Sequence, residues 1–580
     1  MIQRILCVLC VLGGIQCLGL DRNAFTFTDY QLEVRIDPPM QLLEATGKLT
    51  LRNDTSEPQR RAVLQISSTL SWKSITAARK TLPYVAQPYV SDVDHTGSLS
   101  EAIVTLPQAV PPKATIELEI AYGGTVPADA TRLTRIGTPA EVAARSDWDR
   151  ISEPFTLVRG IGYVAWYPIA TEAASLSEGD TVFETIGAWK QRHAASRMSV
   201  AFSPSTTATL IANAARAPAP APSPHSSSRR RLLTSYAWQP VGLATPAFVL
   251  GNFHTLTQPA ATVFYLPGKE SPAADYARVA TQVQPLVTQW FGAPREKLQI
   301  VELPDLRASA WESGAMFFTA LRPIDQKSLE LMLVHQLTHA ALSSPRPWIY
   351  EGAAHFAQAL QREQQEGRKA ALAYLEQQTA PLVVAEKPPL PDAPGRGSSP
   401  PAAAAAPGQS LITTTDELFY RTKAMRVWWM LRDMVGDQAL QRTFQSYRAD
   451  QDKEPSYMQR LVEGHSHRDL EWFFDDWVYR DRGLPDFRIV AAHPRALLPV
   501  DYSVTVTVEN LGSAGAEVPV TVRAEQGEVT KRLEVRGREK AVVRLPIPAV
   551  PKQAIVNDGS VPESDTGNNS AEVKLPEAGR

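Results

Sequence analysis

The chain has 580 residues, 44% hydrophobic and 21% charged, enough apolar material for several buried cores and, by length, about three or four domains. Its 59 Lys and Arg against 61 Asp and Glu leave a formal charge of -2, which excludes the basic footprint of a nucleic-acid binder and a polybasic membrane patch. All three cysteines, Cys7, Cys10 and Cys17, precede residue 20, so the remainder needs no disulfide and offers no thiol nucleophile or cysteine metal ligand.

Residues 1–19 begin with Arg4 and an apolar run too short for a comfortable membrane span and end on small Gly19, the pattern of a secretory signal peptide. Lipid attachment at Cys17 is the competing reading, with Gln16 a poor predecessor for it. Either route places the mature chain outside the cytoplasm, periplasmic or secreted, and no later stretch is apolar for long enough to span a bilayer.

Residues 20–256 read as an antiparallel β-sandwich, because apolar residues alternate with polar ones at Leu32, Val34 and Ile36, at Leu49 and Leu51, and at Ile116, Leu118 and Ile120. Within it, 214–231 is rich in Pro, Ala and Ser and closes on Arg229, Arg230 and Arg231, the composition of a solvated surface loop.

Residues 257–486 switch to alternating elements: a strand at 262–266, a helix at 273–291, a strand at 297–302, the segment Gly314, Ala315, Met316, and then two helices. Asp325 is placed to cap the first of these, whose apolar positions Leu329, Met332, Leu333, Leu337 and Ala340 recur at spacings of three and four. That period puts His335 and His339 one turn apart on one face. Pro345 and Pro347 end the helix, and a second one starting near Trp348 brings Glu351 back towards the histidines. Two imidazoles and one carboxylate with a fourth position free for water make an open zinc site.

Further on, 381–410 is a low-complexity insertion read as exposed. Tyr420 opens another helical stretch, 440–447 and 469–477 continue as helices, and His465 and His467 fall in a turn away from the ligands. From 487 to 580 the period returns to two, at Val504, Val506 and Val508 and at Val518, Val520 and Val522, as in an immunoglobulin-like sandwich. The acidic residues Asp558, Glu563 and Asp565 suit either a calcium ion or ordinary turn chemistry.

The His335, His339 and Glu351 set, with Trp348 and Gly352 around it, resembles the gluzincin zinc metallopeptidases of the aminopeptidase N type. Residues 29–32, 45–50, 167–168 and 246–253 are similar to that family's amino-terminal domain, and Gly314, Ala315 and Met316 to its substrate-binding strand. The resemblance implies a multidomain α and β protein in which a gluzincin (thermolysin-like) catalytic domain, mixed α/β to helical, follows the sandwich. It implies a Zn2+ cofactor, a zinc-bound water as nucleophile, and Tyr420 as donor to the oxyanion, although Tyr420 and Lys423 are one residue further apart than in the family's Tyr-x-Lys-Gly. Two departures follow: Gln336 stands where the general-base Glu is expected, and Phe317 and Phe318 replace the Glu-Asn pair whose Glu anchors a substrate's free amine, which leaves that anchor lost unless Glu312 serves. The implied function is a secreted zinc metallopeptidase acting on peptide or protein substrates and weakened by Gln336. The alternative is a catalytically inactive zinc-binding pseudopeptidase that serves as a binding or scaffold module.

Overall fold

The computed structural model describes residues 20–218, 233–385, 410–497 and 501–575. The leader read at 1–19, most of the loop at 214–231 and most of the insertion at 381–410 therefore lie outside the described residues. The chain divides into two compact units, Met1–Asn252 and Phe253–Arg580. Both mix sheets with helices, and no helix among the described residues is long and apolar enough to cross a membrane.

In the first unit the strand Phe25–Asp37 turns Tyr30, Leu32, Val34 and Ile36 inward, as the alternation requires, and pairs antiparallel with Leu42–Asn53. The buried Tyr30 hydroxyl donates to the Pro168 carbonyl at 3.0 Å, tying two of the segments singled out in the sequence. One departure from an all-antiparallel sandwich is the pairing of Phe25–Asp37 with Arg197–Pro204, which is parallel. The chain between those strands includes the helices Ala140–Ser146 and Thr181–Arg192, and such an excursion is what a parallel return requires. Ala215–Ala217, inside the stretch read as a loop, forms an antiparallel edge strand against Thr234–Trp238.

The second unit opens with a five-stranded sheet in the order His254–Thr257, Ala261–Tyr265, Leu298–Glu302, Met316–Thr319, Trp311–Ser313. The three central strands run parallel, with the helix Glu270–Phe291 as the crossover between the first two of them. The last two strands form a hairpin through Gly314 and Ala315, where Gly314 has φ +59°, a conformation that the first residue of such a turn needs and glycine supplies without strain. The sequence boundary at 256 falls inside the first of these strands.

Two helices follow at short range, Gln326–Ala341 and Pro347–Glu366. Asp325 caps the first by accepting from the Ser328 N–H at 3.0 Å, and Pro347 occupies the first turn of the second, where a missing N–H costs nothing. A third helix, Ala424–Val435, lies against the second so closely that a Cβ on Gly352 would stand 2.6 Å from Ala424 Cβ. There the Trp348 and Trp428 rings stack at 4.9 Å, and Trp428 Nε1 donates to the Trp348 carbonyl at 3.2 Å.

The position of the first two helices is also fixed by one buried carboxylate. Glu330 accepts from the side-chain amides of Gln326 at 2.8 Å, of Gln282 and Gln361 at 3.3 Å each, and of Gln365, so it joins both helices to Glu270–Phe291. Glu330→Ala leaves those amides facing an apolar gap and is expected to destabilise the fold by about 3 kcal/mol, read as a lower midpoint in urea unfolding.

The stretch at 381–410 differs from its reading at the near end: the helix Arg368–Ala385 runs through Pro381, with Leu382 in the core. His465 sits in the last turn of the helix Tyr457–Ser466, not in a loop. Beyond 486, two sheets face each other, Phe487–Ala496, Tyr502–Asn510 and Lys540–Ile547 against Glu528–Val535, Ala516–Ala524, Pro551–Val556 and Ser570–Glu572. Val504, Val506 and Val508 meet Val518, Val520 and Val522 in a core continuous with that of the helices.

In the acidic turn, Glu563 is buried and accepts from Asn569 Nδ2 at 2.8 Å, from the Phe487 N–H at 2.9 Å and from Asn557, while Asp558 lies 3.5 Å from Arg368. The turn is therefore explained by these contacts; among the described residues it forms no metal-binding group. Burial pushes the Glu563 carboxyl up to about 7 against those donors. The folded state then holds this proton more tightly than the unfolded chain, so the contribution is present below about pH 4.5 and lost as pH rises through 7. Stability should fall by about 3 kcal/mol across that window, and urea unfolding of Glu563→Gln at pH 5 and pH 8 should show the slope removed.

Candidate metal centre

The hairpin and the two helices bring four side chains to one point. Nε2 of His335 and Nε2 of His339 lie 3.0 Å apart, and Glu351 reaches them from the second helix at 3.8 and 3.7 Å. These are the three residues that helical spacing had grouped. The fourth, Glu312, comes from the edge strand Trp311–Ser313 and places Oε1 3.4 Å from both imidazole nitrogens. One ligand atom from each of the four lies within 4.8 Å of the others, the one such group among the described residues.

The chemistry of the donors fits a metal ion. His335 and His339 are buried with their Nε2 atoms 3.0 Å apart, so either one imidazole donates to the other or both turn their lone pairs to a shared cation. Nδ1 of both rings and Oε2 of Glu351 are buried without a hydrogen-bond partner. Two imidazoles with carboxylate oxygens suit Zn2+, and a softer thiolate site is impossible in a chain whose cysteines all precede residue 20. The charges also lean on one another: burial works against it, yet His339 and His335 hold the Glu312 carboxyl well below the usual carboxylate range. His335 in turn is lowered by burial but raised more by Glu312, and ends above its ordinary value.

Gln336, on the same helix, donates its amide to Glu312 Oε2 and leaves its own Oε1 without a partner. Gly314 and Ala315 form the hairpin turn and Met316 begins the inner strand, so this segment positions Glu312. Phe317 and Phe318 are buried and present no charge in the cleft. Tyr420 is half-buried in the turn just before the third helix, where burial and then Glu417 push its hydroxyl far above its usual range. Its neighbour Arg421 is the residue that approaches the group, with Nε 3.4 Å from Glu351 Oε2.

Four neighbours of the metal group are not assigned to it by the sequence. Glu312 is two residues before the turn glycine, a position that strand alternation leaves facing the helices, but only as a possible amine anchor did it stand out. Arg421 was passed over for Tyr420. Tyr350 stacks on His339 with ring centroids 3.8 Å apart and makes a hydrogen bond with the Gly314 backbone. His355 packs on His335 at 4.9 Å, donates Nδ1–H to Gln358 Oε1 at 3.0 Å, and burial pulls its imidazole down to about 3, so it stays neutral.

The sequence matches no protein-family model and no curated protein. Among solved structures the chain is similar to the M1 zinc metallopeptidase from Deinococcus radiodurans, at 17% identity over 79% of this chain and 94% of that one, with a TM-score of 0.49. A mutant of an M1 zinc metallopeptidase from the same organism gives 18% identity over 80% and 96% of the two chains, with a TM-score of 0.49. A mutant bound to a Tyr-Ser-Ala substrate gives 17% over 79% and 94%, with a TM-score of 0.48.

Proposed function

We propose that the protein is an extracytoplasmic zinc metallopeptidase of the gluzincin type that hydrolyses peptide bonds slowly. The observation that carries this reading is the convergence of His335, His339, Glu351 and Glu312 on one point, all ligand atoms within 4.8 Å. His335, His339 and Glu351 would hold the ion, and a zinc ion there supplies a Lewis acid for a peptide carbonyl and lowers the pKa of water. The domain plan proposed with it is a sandwich over 20–256, a peptidase-like domain over 257–486 and an immunoglobulin-like domain over 487–580, behind a leader at 1–19.

The slowness has two causes in the chain's own residues. Gln336 orients but cannot accept a proton, since an amide has no basic lone pair at neutral pH. Glu312, held by that amide, fills the place that an open site keeps for water. Loss of a general base costs roughly a hundred- to ten-thousandfold in rate.

The test is a metal analysis and a peptidase assay on one purified sample. About one zinc per chain with slow, chelator-sensitive cleavage supports the reading; no zinc after reconstitution overturns it. The Gln336 to Glu312 hydrogen bond also favours a second reading, a pseudopeptidase in which four protein ligands close the ion off. Zinc bound without any cleavage across a broad peptide library would select that one.

Specificity follows from the same residues. With Phe317 and Phe318 buried where an amine anchor would stand and Glu312 committed to the metal group, none of these three residues calls for a free amino terminus. Acetylating a substrate's amine is expected to change kcat/KM by less than about threefold. A strong preference for unblocked peptides would show that a carboxylate of the cleft anchors the amine after all.

A further inference from the structure

The residues Leu418–Lys423 form a single π turn that leads into the helix Ala424–Val435. A π turn holds one residue more than an α turn, and such one-turn bulges recur at functional sites. Here it absorbs the extra residue between Tyr420 and Lys423. On its far side the packing is fixed, with Lys423 buried in an ion pair with Asp481 and Ala424 against Gly352. The offset therefore falls on the residues before it, and it is Arg421 that the turn sets beside Glu351.

Arg421 is held for such a place. Nη1 donates to Glu417 Oε2 at 2.9 Å, on the solvent side, while Nε is buried, makes no hydrogen bond and lies 3.4 Å from Glu351 Oε2. A planar guanidinium with an unused N–H, in a partly dehydrated cleft, is a stronger and more directional partner for an anionic oxygen than a phenol. Tyr420 instead borders Glu417, whose charge opposes negative charge nearby.

We propose that Arg421, in place of Tyr420, is the group that meets negative charge on a peptide bound at the metal centre, a role that rests on the peptidase reading above. When water adds to the scissile carbonyl carbon, the new C–O bond forms as the C=O π pair moves onto the carbonyl oxygen, the proton lost by the water passes to solvent because Gln336 cannot accept it, and Arg421 supplies the positive N–H donor for the oxyanion.

A tripeptide analogue with a phosphonate at the scissile position carries this charge permanently, and the matching uncleaved amide does not. Calorimetry with the zinc-loaded full chain reads both, with zinc content measured for each variant. Arg421→Met is expected to weaken phosphonate binding about a hundredfold with amide binding within about threefold and zinc retained, and Arg421→Lys to recover part of the loss. An equal loss on both ligands, a loss confined to Tyr420→Phe, or loss of zinc from both Arg421 variants overturns the assignment. If zinc-loaded wild type binds the phosphonate and Arg421→Met binds it as well, only this assignment fails. If the zinc-loaded wild type does not bind it, the peptidase reading fails with it.

Discussion

Exchanging the side chains of Glu312 and Gln336, as the double substitution Glu312→Gln with Gln336→Glu, is expected to raise peptide hydrolysis about a hundredfold or more over the wild type. In the native pair the amide of Gln336 donates to Glu312, and the carboxylate sits against both histidines. The exchange keeps the hydrogen bond with its direction reversed, keeps the net charge, and keeps the volume. It moves the proton acceptor onto the helix between the two histidines, where Glu stands in the gluzincins, and leaves a neutral amide, a poor zinc ligand, at 312.

The single substitutions should do much less. Gln336→Glu alone removes the donor and sets two carboxylates within hydrogen-bonding reach of each other, while Glu312→Gln alone opens the fourth position without adding a base. The gain should therefore be strongly non-additive, read as kcat/KM for all four proteins. A double variant that binds zinc and cleaves nothing would mean that the deficit reaches beyond these two positions.

Removing one imidazole should have the largest effect on the metal itself. His335→Ala and His339→Ala each take away one of two nitrogen ligands, and zinc affinity is expected to fall by more than the roughly 10- to 100-fold that outer-shell partners are worth. The purified variants should retain less than about a tenth of the wild-type zinc, and the thermal shift that zinc gives the wild type should vanish with it. His465→Ala is the control: its Nε2 meets Ser446 Oγ at 3.0 Å in a different part of the helical layer, and zinc should be unaffected. Zinc content unchanged by His335→Ala would place the ion elsewhere.

What could be read from the sequence was what depends on near neighbours. Helical period put His335 and His339 on one face, Asp325 marked a helix start, Pro345 and Pro347 marked the break before the next helix, and the valines at 504–508 and 518–522 marked strands, because each signal lies within a few residues of its consequence. Glu351 was legible because only a short turn separates the two helices. Glu312 was not legible as part of the metal group, since its 23-residue separation from His335 is closed by an antiparallel hairpin folding back over the helix, a return that no local pattern records. The π turn showed only as a spacing fault between Tyr420 and Lys423, and spacing alone could not say which side of the fault would move. Pro381 suggested a break, but the buried Leu382 beyond it holds the helix on course.

The buried Arg426 has a consequence for how the chain can be cut. It lies on the helix that packs against Gly352, donates Nη1 to the Gly559 carbonyl at 2.7 Å and Nη2 to Thr379 at 2.9 Å, and burial draws its guanidinium down to about 10. A second tie joins the helices to the sandwich: Trp477 Nε1 donates to the Gly515 carbonyl at 2.7 Å, and the Gly515 N–H donates to Asp476 at 2.9 Å. A truncation after 486, the natural choice for isolating the peptidase-like part, would remove the acceptor of a dehydrated cation along with the strands that share its core. The C-terminal sandwich thus behaves less like cargo on a tether than like a keystone, and the trimmed fragment should be recovered as aggregate, while in the full chain the sandwich and the helices it packs on should melt together in one cooperative step.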